Sequence, residues 1–191
     1  MSEEYLNEDF IDEHHGYQAE TEYAGFWIRL GAAFIDMLVL FPIMGLNIYN
    51  QFDIKSIALL YFLTVISSLY KPLMEWRFGA TLGKMTFKIK VLNEDLKPIS
   101  IDQGFGRYIP WAISAIIQLM AATFIFSDPM FKAADTFMEI GAITQQSPLN
   151  NISSIYNLIF LVIIGSLAID KKSRGFHDKI AKTVVIKIPK D

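Results

Sequence analysis

The hydrophobic residues of this chain are gathered into four long blocks separated by polar segments. The blocks cover residues 26–49, 54–70, 108–126 and 152–169. Each is close to the roughly 20 residues that an α-helix needs to cross a hydrocarbon core about 30 Å thick. No block closely repeats another, so the pattern predicts four distinct membrane-spanning helices rather than a duplicated pair.

Composition supports the membrane setting. Hydrophobic residues make up 52% of the 191 positions, and the mean hydropathy is +0.32. Soluble domains of this size rarely combine these values. A secretory signal begins with a basic region, whereas residues 1–28 contain eight Asp or Glu and no Lys or Arg. We therefore expect the first block to be a membrane span and not a cleaved leader.

The basic residues predict the orientation of the spans. Seven lie between the second and third blocks and seven follow the fourth, whereas the other two connections carry only Lys55 and Lys132. Short, positively charged loops stay cytoplasmic. Four spans also place the middle loop and both termini on one side. The sequence thus predicts a multi-pass protein of the cell membrane, an inner membrane where two exist, with both termini cytoplasmic.

Two segments outside the blocks have a periodicity of their own. Residues 87–92 alternate apolar and basic side chains, and residues 183–188 are rich in β-branched residues. We expect these two segments to pair as strands, with Pro98 confining the returning chain to a short edge. The predicted fold is an all-α four-helix transmembrane bundle with a small cytoplasmic β element formed by residues 86–100 and 183–188. Residues 129–140 fit either a short amphipathic helix or an irregular loop.

The predicted domain organisation has three parts. Residues 1–22 are acidic and form a disordered cytoplasmic tail, residues 23–188 form the membrane domain, and residues 189–191 form a short second tail. His14 and His15 lie beside several acidic residues in the first tail. Their spacing matches no metal signature, so a solvated tail is the favoured interpretation and no metal or other cofactor is predicted.

Two charges stand on the first hydrophobic block. Arg29 lies near its start, and Asp36 lies part-way along it. An ionisable residue within a membrane costs about 2.5–3.5 kcal/mol on insertion scales, so it is usually paired and faces the protein interior. Seven helical residues separate the two side chains by about 10.5 Å along the axis. We therefore expect each of them to have a different partner.

Three motifs occur in a fixed order along the chain: GFWIRLGAAFID at residues 25–36, GATLGK at residues 79–84 and GFHDKIAKTVV at residues 175–185. With hydrophobic blocks between them, they resemble the RDD family of small membrane proteins, which is named for an arginine and two aspartates. The resemblance covers roughly residues 23–188. It implies a shared fold and a polar site formed by Arg29, Asp36 and Asp178, and it implies no secure biochemical activity.

The positions of these residues predict partners for them. Arg29 and Asp178 both lie at the cytoplasmic boundary, so we expect them to form an ion pair. The candidate partners of Asp36 are Lys84, Arg107, Thr64, Ser67, Asn157 and Ser166. A second tier of residues for the same polar network consists of His177, Lys84, Arg107 and Asp170. Glu75 is expected at the membrane interface, beside Arg77 or Lys71.

Two functions remain open. No Ser-His-Asp order, zinc spacing or pair of catalytic carboxylates is present, and GATLGK lacks the full phosphate-loop pattern, so neither an enzyme nor a nucleotide or nucleic-acid binder is predicted. The favoured function is a structural or accessory subunit in the bilayer, with protein partners or further copies of itself. This is because no span is interrupted by paired Gly and Pro. The alternative is a small oligomeric transporter that exchanges H⁺ for alkali cations at Asp36.

Overall fold

The structure is a computed structural model that describes residues 22–168, 170 and 173–188. In chain order its elements are α1 Phe26–Tyr49, α2 Ile57–Phe78, α3 Leu82–Thr86, β1 Ile89–Asn93, α4 Ile101–Ser127, α5 Pro129–Ala133, α6 Phe137–Gln146, α7 Asn150–Gly165, α8 Phe176–Ile180 and β2 Thr183–Lys187. A π-helical turn, Asn50–Ile54, extends α1, and a 3₁₀ turn, Ser166–Ala168, follows α7. The predicted acidic tail lies outside the described residues except for Glu22, whose carbonyl accepts a hydrogen bond from Lys187.

In the part of the chain that the structure describes, three helices are long and apolar enough to cross a membrane. They are α1 with its π-helical extension, α2 and α4. The fourth span was predicted as one continuous helix, but the structure has a bent pair in this region. Helices α6 and α7 meet at a 90° bend and reach the required length only together. Alone, the 16 residues of α7 extend about 24 Å, which is short of a core about 30 Å thick. The described fold is therefore mostly helical, with three crossings or four if the bent pair is counted as one.

Two of the spans continue beyond the hydrophobic blocks. Helix α2 runs on to Phe78, eight residues past the predicted end, and α4 begins at Ile101, seven residues before the predicted start. Gly79 ends α2 with a left-handed φ of 72°. Ser100 and Gln103 form a capping box that begins α4. Charged residues stand on these added turns, which is why hydrophobicity alone does not detect them.

The predicted pairing of strands is confirmed. Strand β1 pairs antiparallel with β2, so that Ile89 lies opposite Lys187 and Asn93 opposite Thr183. On the other edge of β2, Ala24 donates a backbone hydrogen bond to Val185 at 2.9 Å. The segment before α1, the middle of the chain and its last described strand therefore meet at one end of the helices.

The opposite end of the helices is closed by short elements. Residues 129–140, for which a helix and a loop were both open, form α5 and the start of α6 with a break between them. Phe131 is buried and packs against Phe126 and Ile140. Lys55 donates hydrogen bonds to the carbonyl oxygens of Lys132 and Ala134. These contacts hold the connection between α4 and α6 against the loop that joins α1 to α2.

Candidate functional site

A network of buried charges lies where the sheet meets the helices. The carboxylate of Asp178, on the first turn of α8, is fully buried. Its Oδ2 accepts a hydrogen bond from Nη1 of Arg29 at 2.6 Å, and its Oδ1 pairs with Nη1 of Arg107. The predicted ion pair between Arg29 and Asp178 is therefore present, and it links the start of α1 to the C-terminal segment.

Glu75 is the second carboxylate of the network. Its Oε1 lies 2.6 Å from Nζ of Lys84, and its Oε2 lies 2.8 Å from Nε of Arg107. Arg77 or Lys71 was expected beside Glu75, but the ion pairs are formed with Lys84 and Arg107, and the Glu75 side chain is 1% exposed. Arg107 bonds both Glu75 and Asp178 and thereby joins α2, α4 and α8.

The spacing of residues on α2 contains the signal for this second carboxylate. Glu75 follows Pro72, which is also buried, by three residues. A helix places residues at this spacing on one side. An acidic residue on the buried side of a helix needs a cationic partner, and the sequence places Lys84 and Arg107 in the same connection between the second and third hydrophobic blocks.

Asp36 is held by hydrogen-bond donors rather than by a cation. Its Oδ1 accepts from the hydroxyl of Tyr70 and from the backbone N–H of Gly83, each at 2.8 Å. Its Oδ2 accepts from the hydroxyl of Thr81 at 2.6 Å. The predicted partners were wrong: none of these bonds involves Lys84, Arg107, Thr64, Ser67, Asn157 or Ser166.

The local fold of the GATLGK segment explains this arrangement. Thr81 caps α3 by accepting a bond from the N–H of Lys84, and its own hydroxyl proton is directed to Asp36. Gly83 brings the α3 backbone against α1, so that its N–H reaches the same carboxylate. Because α3 has only five residues, its attachment to α1 depends on such contacts.

His177, on α8, lies beside the network of buried charges. Its Nε2 lies 3.3 Å from Oδ1 of Asp178, and its ring meets Trp111 edge-on at a centroid distance of 5.0 Å. Burial lowers the pKa of His177 to about 3, so the ring is neutral near pH 7. Burial works to raise the pKa of Asp178, but nearby charges, above all that of Arg107, hold it below its usual range. Within the described part of the chain, Nδ1 of His177 has no hydrogen-bond partner.

Two further residues occupy different surroundings. Lys71 places Nζ 3.4 Å from the centroid of the Trp111 ring, a cation–π contact that the sequence did not indicate. Asp170, a second-tier candidate, forms ion pairs with Lys179 at 2.8 Å and with Arg174 at 3.7 Å. Of the second-tier residues, Lys84, Arg107 and His177 thus contact the carboxylates of the network. Asp170 instead pairs with residues of its own C-terminal segment.

A cavity of about 670 Å³ extends from this network between α1, α2, α4 and α7; we call it the long cavity. One side of α1 forms its apolar wall at alternating spacings of three and four residues: Leu30, Ala33, Met37, Leu40 and Met44. Its charged end is lined by Arg29, Asp36, Lys71, Lys84, Arg107 and His177. A second cavity of about 380 Å³ lies towards the other end, and Asn47 and Gln118 line both.

Among residues 22–168, 170 and 173–188, no three or more His, Cys, Asp or Glu side chains lie together as a metal site would require. The acidic cluster around His14 and His15 lies outside the described residues. The chemistry of the described site is therefore that of ion pairs and hydrogen bonds around a cavity.

Comparison with known proteins adds a family relationship. The model of a family described as the RDD family matches residues 23–182. Among curated proteins, a relative is the Uncharacterized protein YxaI of Bacillus subtilis (strain 168), which is 34% identical over 119 aligned residues. That alignment covers 49% of this chain and 79% of the relative. No solved structure matches the chain. The matched range contains Arg29, Asp36 and Asp178, the residues expected from the three motifs.

Proposed function

Since the chain belongs to the RDD family, whose members are membrane proteins, we propose that it is a structural or accessory subunit of a larger membrane complex. In this proposal the buried network locks the cytoplasmic sheet to the membrane helices, and the rigid unit that results docks onto protein partners. The observation that carries the proposal is that the chain's own donors and cations occupy the carboxylates of the site. Asp36 accepts three hydrogen bonds, and Glu75 and Asp178 each meet two cations.

The proposed topology has four crossings with both ends cytoplasmic. The bent α6–α7 pair provides the return path, because Tyr156 of α7 donates a hydrogen bond to the carbonyl of Pro110 and Ser166 accepts one from Phe176. The sheet joins the segment before α1 to residues near the end of the chain. The basic residues cluster at this end, as cytoplasmic loops do.

Labelling with a membrane-impermeant maleimide tests this topology. The chain has no cysteine, so a single introduced thiol gives an unambiguous signal. We expect Lys132→Cys to be labelled in intact cells and Lys97→Cys to be labelled only after lysis. Both side chains are exposed in the structure, which makes them a matched pair. Labelling of Lys97→Cys in intact cells would contradict the proposed orientation.

The subunit role predicts a partner at a fixed ratio. The test is purification of the tagged chain in mild detergent, followed by measurement of the molar ratio of each co-purified protein. A second form lacks residues 1–21, and a third keeps their length but has Gln in place of each Glu and Asn in place of each Asp. We expect one partner at a constant ratio with the full chain and less with both altered forms. Recovery of no partner above a non-stoichiometric background would overturn the proposal.

The transporter alternative is favoured by one observation. Asp36 lines the long cavity, which shares Asn47 and Gln118 with the second cavity, so polar groups extend along much of the helices.

Two observations weigh against cation exchange. Asp36 already accepts three hydrogen bonds, and four cationic side chains line the cavity with it: Arg29, Lys71, Lys84 and Arg107. A cation at Asp36 would have to displace the donors and enter an electropositive cavity.

Liposome flux distinguishes the two functions. Purified protein is reconstituted, and Na⁺ or K⁺ flux driven by a pH gradient is measured for the wild type, Asp36→Asn and Thr81→Val. Thr81→Val removes one hydrogen bond to Asp36 and keeps the carboxylate. It therefore shows whether any change in flux comes from weaker attachment of α3 rather than from loss of the carboxylate. The subunit proposal predicts no flux above protein-free liposomes for any of them. Flux in the wild type that Asp36→Asn abolishes and Thr81→Val retains would establish the transporter instead.

A further inference from the structure

The long cavity has the polarity of an amphiphile. Its charged end lies at Arg29, Lys71 and His177, and its wall along α1 is apolar as far as Met44. A volume of about 670 Å³ lies within the range of about 300–1,000 Å³ that is common for small-molecule sites. A ligand that fits this distribution has a polar head and a hydrocarbon chain.

The charges at this end do not cancel. Among the described residues of the network and cavity, four are cations, namely Arg29, Lys71, Lys84 and Arg107, and three are carboxylates, namely Asp36, Glu75 and Asp178. Counted at their formal charges, the cations exceed the carboxylates by one. A buried charge is stable when it is paired. A head group with one negative charge would complete the balance.

Unpartnered polar atoms lie on the cavity-lining residues at the same end. Nη2 of Arg29 is buried and has no hydrogen-bond partner within the described residues, although Nε and Nη1 are both bonded. The side chain of Arg29 is 9% exposed and that of His177 is 8% exposed. Lys71 has a cation–π contact with Trp111 and no ion pair to any residue that the structure describes. A free N–H of Arg29 and the ammonium of Lys71 are suited to a phosphate oxygen.

The tautomer of His177 adds to the description of the head group. Since Nε2 faces the carboxylate of Asp178, the ring proton belongs on Nε2 and leaves Nδ1 as an acceptor. That atom has no donor among the described residues. A hydroxyl on the head group would supply one. From these contacts we propose that the long cavity binds an anionic membrane lipid, with its phosphate at Arg29 and Lys71 and an acyl chain along the Leu30–Met44 side of α1.

The lipid site goes beyond the proposed subunit function and does not depend on it. The charge balance also distinguishes a lipid from a neutral occupant, such as an apolar helix of a partner or of a second copy. Such a helix would fill the space along the apolar wall and leave the positive charge unbalanced. A free phosphate would balance the charge and leave the apolar wall empty.

Native mass spectrometry tests the site directly. The protein is reconstituted in nanodiscs of phosphatidylcholine with equal phosphatidylglycerol, released, and examined for retained lipid. We expect the wild type to retain one phosphatidylglycerol in preference to phosphatidylcholine. Lys71→Gln should lower its occupancy at least tenfold, whereas Lys97→Gln, which removes an exposed lysine, should not change it.

A second variant fills the cavity without touching a charge. Met37→Trp places a larger side chain on the apolar wall, and Phe41→Trp makes the same change at a position of α1 outside the cavity lining. We expect Met37→Trp to abolish retention and Phe41→Trp to preserve it. The proposal is overturned if both behave alike, if phosphatidylcholine is retained equally well, if inorganic phosphate competes away the lipid at equal concentration, or if a second protein chain is found in place of the lipid.

Discussion

Gly83 lies so close to α1 that a Cβ atom at its position would stand 2.0 Å from the carbonyl oxygen of Ala32. No side chain larger than hydrogen fits there without a shift of the backbone. The same approach brings the Gly83 N–H within hydrogen-bonding distance of Asp36, one turn further along α1. The contact between these two backbones therefore sets the position of α3 on the membrane helix.

Substitution of Gly83 by alanine is predicted to destabilise the protein. The methyl group must push α3 away from Ala32, and overpacking of this kind typically costs about 1–3 kcal/mol. Gly45→Ala is the matched control, because a Cβ there meets nothing within 4 Å. The measurement is thermal unfolding of the purified protein in mild detergent. Equal midpoints for the two variants would contradict the close approach described here.

Replacing Asp36 with asparagine should also lower stability. Both carboxylate oxygens accept hydrogen bonds, whereas an amide has one oxygen and presents its NH₂ group to a donor. A buried donor left unsatisfied costs about 1–3 kcal/mol. Asp95→Asn, at an exposed turn, is the control and should change little. Chemical denaturation in detergent measures the difference in unfolding free energy, and the prediction fails if the two substitutions have the same small effect.

The ion pairs of Glu75 and Glu94 should differ greatly in importance. Glu75→Gln leaves Lys84 buried without its carboxylate and leaves Arg107 with Asp178 alone, and loss of one partner of a buried pair costs about 3–5 kcal/mol. Glu94→Gln breaks an exposed pair with Arg174, for which less than about 1 kcal/mol is expected. Unfolding curves of both variants would test this contrast. A Glu75→Gln protein as stable as Glu94→Gln would show that the network does not stabilise the fold.

Acid should destabilise the protein partly through His177. Its pKa is about 3 in the folded state and about 6.5 when unfolded, so between these values the unfolded chain binds more protons. Stability therefore falls as pH decreases from about 6.5 towards 3, by at most about 1.4 kcal/mol per pH unit from this group. We expect His177→Gln to lose less stability between pH 7 and pH 4.5 than the wild type. Parallel pH profiles would exclude this contribution.

Much of the fold is encoded in local sequence patterns. The hydrophobic blocks locate the helices, and the alternation in residues 87–92 predicts the strand that pairs with β2. The ends of α2 and α4 could not be placed by hydrophobicity. Glu75 and Arg107 stand on those ends, and they become compatible with burial only when each meets the other. The 90° bend between α6 and α7 likewise could not be predicted from the number of apolar residues in the fourth block.

The candidate site was predictable to a different degree at each residue. The pairing of Arg29 with Asp178 follows from their positions at one membrane boundary, and the structure contains it. The partners of Asp36 did not follow, because two of its three hydrogen bonds come from Thr81 and a backbone N–H in a helix of only five residues. Side-chain chemistry can suggest a charged partner, but a backbone donor becomes visible only when the chain path is known.

The link between Arg29 and Asp178 also constrains how the protein is made. The two residues are 149 positions apart, so at roughly 5–20 residues per second Arg29 is synthesised about 7–30 s before its carboxylate partner. During that interval the first span has its guanidinium and lacks this counter-charge. The ion pair can form only after the intervening helices have been made. Synthesis of Asp178 is therefore required before this end of the fold can close, and a chain truncated before Asp178 leaves Arg29 without this counter-charge.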